Sequence, residues 1–311
     1  MIGGYRVIRK VAAGGFGVVY LALDSEGQKV AVKEYLPSSL ATRAPGELRP
    51  QVASEKLSLY RLGLKSFFEE GRSLAQISHP SVVSVMNFFR ENETVYMVMN
   101  YLEGAALQDF IITARDLKQQ KVFRESTIRS LFDEILRGLR IVHQHKMLHL
   151  DIKPENILRR SDGASVLSDF GIARAAEIKL GLTGEGTSIG TPHYMSPEQW
   201  RGEVVDGRAD LYGLGVVLFQ LLSGKLPYDG ANGWTVGMQH MNAPIPSLPP
   251  ALQYLQRLVD DLLAKDPAAR PQTGFEVIQR IDAHLSGGGM AVLTSHQELP
   301  LAGRVAHLRL D

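Results

Sequence analysis

The spacing of apolar residues changes once along this chain, near Glu103-Gly104, and that change limits the folds open to it. Before it, short β-branched runs at residues 5–11, 18–23, 29–34, 82–89 and 95–101 read as strands. Turns fall at Gly14-Gly15, at Asp24-Ser25-Glu26-Gly27 and across residues 90–94. One helix interrupts the strands: residues 64–77 carry Phe67, Phe68, Leu74 and Ile77 at helical spacing and stop before His79-Pro80. After Gly104 the helical period takes over. Residues 126–145 place Ile128, Leu131, Phe132, Ile135, Leu139 and Val142 on one stripe, and residues 211–222, 251–264 and 274–285 continue the pattern. Strands first and helices later imply an α+β chain of two lobes with a cleft between them.

The 311 residues suffice for two such lobes. Lys and Arg total 34 against 33 Asp and Glu, so a net charge of +1 gives nucleic-acid binding no electrostatic support. Cysteine is absent, which excludes disulfides, thiolate catalysis and Cys-based metal sites. His79, His143, His145 and His193 follow no metal-ligand spacing. The start, Met1-Ile2-Gly3-Gly4-Tyr5-Arg6, lacks the apolar core of a signal peptide. The most apolar run, residues 211–222, is too short and too glycine-interrupted to span a bilayer. A cytoplasmic chain without a membrane segment is the expectation.

The reactive side chains concentrate in His149-Leu150-Asp151-Ile152-Lys153-Pro154-Glu155-Asn156, with Asp169-Phe170-Gly171 starting eighteen positions after Asp151. Moving a phosphoryl group from ATP to a hydroxyl needs a carboxylate beside the hydroxyl and a cation near the moving group. It also needs oxygen ligands that hold Mg²⁺ on the phosphates. Asp151, Lys153, Asn156 and Asp169 supply that set. Upstream, Ala12-Ala13-Gly14-Gly15-Phe16-Gly17-Val18-Val19-Tyr20 lies between the first two strands. Small residues there let backbone N–H groups approach phosphate oxygens.

Together these runs resemble the protein kinases. Met195-Ser196-Pro197-Glu198-Gln199-Trp200 and Asp210-Leu211-Tyr212-Gly213-Leu214-Gly215 resemble the bacterial, eukaryotic-type (Hanks-type) serine/threonine kinases in particular. The resemblance implies a kinase domain over residues 1–285. Its β-rich N-lobe would run to about residue 99, its hinge over 100–104 and its helical C-lobe over 105–285, leaving residues 286–311 as a tail or linker. It also implies ATP with Mg²⁺ (Mn²⁺ as a substitute), a protein substrate with a Ser/Thr acceptor, and a homodimer for trans-autophosphorylation.

Carried over residue by residue, the resemblance implies that Lys33 of Val30-Ala31-Val32-Lys33 holds the α/β-phosphates. Glu70, with Glu69 as fallback, orients it. Val11, Gly14, Gly15, Phe16 and Gly17 border the nucleotide; Val19, Ala31 and Leu158 sandwich the adenine. Met99 stands at the back of the pocket, and the backbone of Met99-Asn100-Tyr101-Leu102 bonds the adenine edge. Asp151 accepts or orients the substrate hydroxyl proton, and Lys153 offsets charge on the γ-phosphoryl group. Asn156 and Asp169 ligate the metal. Thr191 bonds Asp151 and Lys153, Glu198 pairs with Arg270, and Asp210 accepts backbone N–H groups of the catalytic loop. Thr183, Thr187 and Ser188 are candidate phosphoacceptors.

Two residues depart from the family pattern. Ala12 stands where its first glycine usually sits. Leu150 stands where an arginine often pairs with an activation-segment phosphate. Leucine cannot do so, which implies activity without that phosphate, or a phosphate read through Arg174. Residues 35–62, with Pro37, Pro45-Gly46 and Pro50, read as an insertion: a surface excursion in preference to a clamp on the helix bearing Glu70. A nucleotide-binding pseudokinase or scaffold and a small-molecule phosphotransferase are the rival functions. Retention of Lys33, Asp151, Asn156 and Asp169 argues against the first, and the run from Gly190 to Glu198 against the second.

Overall fold

The computed structural model describes residues 1–15, 17–116, 125–170 and 192–286. Strands β1 (Arg6–Gly14), β2 (Gly17–Leu23) and β3 (Lys29–Tyr35) form an antiparallel meander, followed by a two-stranded ribbon, β4 (Ala41–Thr42) with β5 (Gln51–Val52). After helix α1 (Leu57–Leu74), β6 (Val85–Glu91) and β7 (Thr94–Asn100) complete a five-stranded sheet of order β1-β2-β3-β7-β6. Alternation along β3 sorts its side chains between two faces. Val30 and Val32 pack with Ile2, Ala22, Tyr96 and Val98 on the outer face. Ala31 and Tyr35 join the larger core on the inner face, beneath α1.

Helix α1 starts well before the expected residue 64. Its buried stripe is Tyr60, Gly63, Phe67, Gly71 and Leu74, so two of the inward positions carry no apolar signal. Both glycines permit close approach: a Cβ at Gly63 would collide with the Tyr35 hydroxyl, and one at Gly71 with the end of Met97. Residues 35–62 are a surface excursion in part: most of the stretch from Ser38 to Lys56 is exposed, as expected, but it is seated at buried points and continuous with regular elements. Tyr35 ends β3, residues from Leu57 onward belong to α1, and Pro37, Ala41 and Pro50 between them are buried.

The second lobe opens with β8 (Gly104–Ala106) and α2 (Leu107–Asp116), then α3 (Glu125–Gln144) and the hairpin β9 (Ile157–Arg160)–β10 (Ser165–Leu167). Ser81 and Val83 exchange backbone hydrogen bonds with Leu167 at 2.9 Å each, tying the segment after α1 to that hairpin. The helices α4 (Pro197–Arg201), α5 (Gly207–Ser223), α6 (Gly233–Asn242), α7 (Gln256–Leu262) and α8 (Gly274–Ser286) follow. Helix α5 is the buried centre: Leu211, Leu214, Val217 and Leu221 face packed neighbours on all sides. Each such side chain contributes about 1.5–3 kcal/mol. Asp206 caps α5 by accepting the Arg208 N–H at 3.0 Å, and Gly224 ends it at a φ of 73°. The helix expected at 251–264 divides into a 3₁₀ segment, Pro250–Leu255, and α7. Gln253 donates to the Leu248 carbonyl and Gln256 accepts the Leu248 N–H, drawing that stretch into a tighter turn. Among the described residues no helix is long and apolar enough to cross a membrane.

Candidate active site

Asp210, in the first turn of α5, supports the catalytic loop. It accepts the His149 N–H at 2.9 Å and the Leu150 N–H at 2.7 Å, while His143 Nε2 lies 2.8 Å from the same carboxylate. Burial opposes the charge on Asp210, but His143 and the loop N–H groups hold its carboxyl below the ordinary range. Leu150 adopts a φ of 57°. That left-handed conformation costs a leucine on the order of 1–3 kcal/mol, so its surroundings must impose it. Both peptide groups flanking its Cα are gripped: the N–H by Asp210, and the C=O by Gln199 Nε2, which donates at 3.2 Å. Gln199 Oε1 in turn accepts the Ser196 N–H and Oγ–H, each at 3.0 Å. Ser196, Gln199 and Leu150 are all buried, so α4 is wired to the catalytic loop by neutral hydrogen bonds.

Asp151 follows directly. Its Oδ2 accepts from Lys153 Nζ and from Asn156 Nδ2, both at 2.9 Å. Asn156 Nδ2 also donates to the Asp151 carbonyl at 2.8 Å. Both amide hydrogens of Asn156 are therefore committed, which fixes the amide and turns its Oδ1 away from Asp151. His149 holds the base of the loop. Its Nδ1 accepts the Asp151 N–H at 3.3 Å and its Nε2 donates to the Ser168 carbonyl at 3.1 Å, defining the neutral Nε2–H tautomer. Burial pushes the imidazole below its ordinary pKa, which keeps it neutral. Its ring packs 4.5 Å from that of Phe170.

Lys33 Nζ meets Asp169 Oδ1 at 2.5 Å. Desolvation disfavours the Asp169 carboxylate, yet the charge and hydrogen bond of Lys33, with the charge of Lys153 beyond it, hold its pKa below normal. The expected partner of Lys33 was Glu70, and that pair is not formed. Glu70 sits half-buried beside the inward stripe of α1, but the ammonium, itself 11% exposed, is satisfied by the carboxylate of Asp169. The fallback, Glu69, faces solvent and pairs with Lys65 at 3.8 Å.

Strand register collects the residues expected around adenine. Val19 pairs with Lys33 and Ala31 with Met99, which puts all four on one sheet face. Leu158 pairs with Ala106 and Val166 in the sheet below. Val11 is 45% exposed at a register shift in β1. The Asn100 N–H is already committed to the Ser84 carbonyl at 3.1 Å, so this N–H does not serve the adenine edge; Tyr101 is half-buried just beyond β7. A Cβ on Gly14 or Gly15 would meet nothing within 4 Å, so the turn leaves open space above it. Gly17 is required for another reason: a Cβ there would collide with the Glu34 carbonyl of β3. Phe16, Arg174, Thr183, Thr187, Ser188, Thr191 and the tail from residue 287 lie outside the described residues.

Asn156 and Asp169 are oxygen donors, the type Mg²⁺ takes when phosphates and waters complete its shell. Among the described residues no cluster of three or more His, Cys, Asp or Glu could hold a metal by itself. One amide oxygen and one carboxylate are a donor set suited to a cation that arrives with the nucleotide phosphates. The Glu198–Arg270 pair forms as expected, with two bonds of 2.7 and 2.8 Å in full burial, and Arg270 also bonds the carbonyls of Ala264, Lys265 and Arg208. Sequence reasoning missed Gln199. Its one available signal was the Ser-x-x-Gln spacing of a capping box, which says nothing of its second bond to Leu150.

The protein kinase domain family profile matches residues 5–281. The chain is 32% identical to serine/threonine-protein kinase PrkC of Bacillus subtilis over 88% of its own length and 39% of the relative's. It is 32% identical to PknA of Mycobacterium tuberculosis over 92% of its own length and 62% of the relative's. The chain thus spans well under half of PrkC and less than two thirds of PknA. Among solved structures, the apo form of PpkA-294 superposes with a TM-score of 0.72 at 30% identity, covering 90% of this chain and 96% of that one. The kinase domain of Mycobacterium tuberculosis PknI superposes at 0.67 with 23% identity, covering 91% and 96%, a likeness of fold. A two-lobed fold, the ordered motifs and a family match over most of its length agree: the chain belongs to the protein kinase family, as a bacterial Hanks-type serine/threonine kinase domain.

Proposed function

We propose that this chain transfers the γ-phosphoryl group of ATP to serine and threonine hydroxyls of proteins, its own included. The observation that carries the proposal is the shared Oδ2 of Asp151, held at 2.9 Å by both Lys153 and Asn156, with Lys153 near enough to act on the Asp169 that pairs with Lys33. The substrate oxygen bonds to the γ-phosphorus as the bond to the β–γ bridging oxygen breaks, and ADP leaves. Asp151 orients the hydroxyl and takes its proton. Lys153 offsets charge on the moving group, and Lys33 binds the α/β-phosphates once it exchanges Asp169 for them. Asn156 Oδ1 and Asp169 would hold Mg²⁺, or Mn²⁺ in its place, which offsets phosphate charge. Val19, Ala31, Met99 and Leu158 enclose the adenine; Val11, Gly14, Gly15 and Gly17 border the phosphates. Thr191, by family resemblance, ties Asp151 to Lys153.

Buried Leu150 supports a further part of the reading: activity does not wait for an activation-segment phosphate, since no arginine stands there to receive one. The proposed setting is the cytoplasm, with protein substrates and a homodimer for trans-autophosphorylation. Incubation with γ-labelled ATP, Mg²⁺ and a generic acceptor protein tests the assignment. Label recovered as phosphoserine or phosphothreonine is expected. Label confined to a small metabolite, or absent throughout, would overturn it.

A further inference from the structure

The segment between β3 and α1 is anchored on the outer face of the sheet, while the two elements it joins pack on each other at the inner face. On the outer face, the Arg43 guanidinium spans both oxygens of Glu34, with Nη1 at 2.9 Å from Oε2. Glu34 is fully buried and also accepts from the hydroxyls of Tyr20 at 2.8 Å and Tyr96 at 3.0 Å. On the inner face, the ring of Tyr35 packs 5.5 Å from Tyr60 and 5.6 Å from Phe67 of α1. Lys56 Nζ closes the segment on the Ser39 carbonyl at 2.9 Å. Anchored this way, Ser38 reaches the glycine-rich turn: its N–H donates to the Gly15 carbonyl at 2.9 Å and its Oγ to the same oxygen at 3.3 Å.

We infer that residues 36–56 form a strap that orders the glycine-rich turn for the nucleotide phosphates, with Ser38 as its positioning residue and Arg43 as its anchor. The inference rests on the ATP reading above. Gly14-Gly15 is the stretch of the site with the greatest backbone freedom, and nucleotide binding must remove that freedom. A carbonyl fixed in advance by two donors removes part of that ordering cost from binding. The strap thereby supplies locally what Ala12, in place of a first glycine, does not.

Ser38→Pro is the discriminating variant. Ser38 occupies the first central position of a turn in which the Leu40 and Ala41 N–H groups bond the Pro37 carbonyl at 3.0 and 2.8 Å, a position that suits proline. The substitution keeps the turn while deleting both donors to Gly15. Affinity for ATP should fall roughly five- to tenfold, as expected for one or two net hydrogen bonds. Affinity for adenosine, which lacks phosphates, should not change, and amide exchange at Gly14 and Gly15 should accelerate. Ser38→Ala, which keeps the N–H, should show the smaller part of each effect. A Ser38→Pro chain with wild-type ATP affinity and unchanged exchange overturns the strap alone. Parallel losses for ATP and adenosine also overturn it, because they report general damage to the lobe. A wild-type chain that binds no ATP overturns the ATP reading together with the strap's role.

Discussion

Substitution of Gln199 separates a helix cap from a brace on the catalytic loop. Gln199→Leu removes the donor to the Leu150 carbonyl at 3.2 Å and the acceptor for the Ser196 N–H and Oγ–H at 3.0 Å. Each orphaned buried group costs about 1–3 kcal/mol, so a stability loss of about 3 kcal/mol is expected in urea unfolding. The loop should lose more than stability. The φ of 57° at Leu150 is imposed from both sides, and with one side released the strain can relax by moving the neighbouring Asp151. If about 1.4–2.8 kcal/mol of that strain enters the barrier, kcat falls roughly 10- to 100-fold while KM for ATP stays constant. Gln199→Glu sharpens the test. It keeps the acceptor for Ser196 but places a carboxylate oxygen against the Leu150 carbonyl. It should lose kcat much as the leucine variant does, with a stability loss at least as large, because the buried carboxylate has no cation to pair with among the described residues. A glutamate variant of wild-type kcat, beside an unstable leucine variant, would refute the brace and leave Gln199 as a cap.

Three further outcomes are expected. Phosphatase treatment should leave kcat within about twofold, because Leu150 offers a phosphate no charge-assisted bond; a loss of more than tenfold contradicts that. Glu198→Ala leaves the Arg270 guanidinium charged and unpaired in full burial, so chemical denaturation should show a loss of about 3–5 kcal/mol. His240 sets an acid limit: burial, with the charge of Lys265 nearby, pushes its imidazole down to about 3. The unfolded chain binds that proton near pH 6.5 and the folded chain does not. Stability is therefore lost as pH falls from 6.5 toward 3, by about 2 kcal/mol between pH 6.5 and 5 from this site. His240→Asn should flatten that slope in parallel denaturation curves, and an unchanged slope would rule the assignment out.

The parts of the fold readable from sequence were those whose signal is local. The β-branched runs around Val30 and Val98 and the α3 stripe from Ile128 to Val142 specify their own burial, and the structure buries them. Helix α2 escaped because Phe110 and Ile112 are exposed apolar residues that blur the stripe. Helix α6 escaped because Gly233 and Gly237 weaken its pattern, although Asn232 caps it by accepting the Thr235 N–H at 2.9 Å. In the site, the catalytic-loop residues lie within a few positions of each other, so sequence proximity foretold their contact. Of the pairings made across the fold, Glu198 with Arg270 and Asp210 with the loop N–H groups were legible through the family resemblance alone, and others were not legible at all. Lys33 with Asp169, Arg43 with Glu34 and Gln199 with Leu150 depend on how separate elements dock, which no local period encodes.

The most direct test is a paired measurement on Asp151→Asn: nucleotide affinity by titration, and phosphoryl transfer by label incorporation. ATP affinity close to wild type with transfer reduced roughly 10²–10⁴-fold is the expected result. Transfer at the wild-type rate would contradict the role given to this carboxylate and, with it, the mechanism.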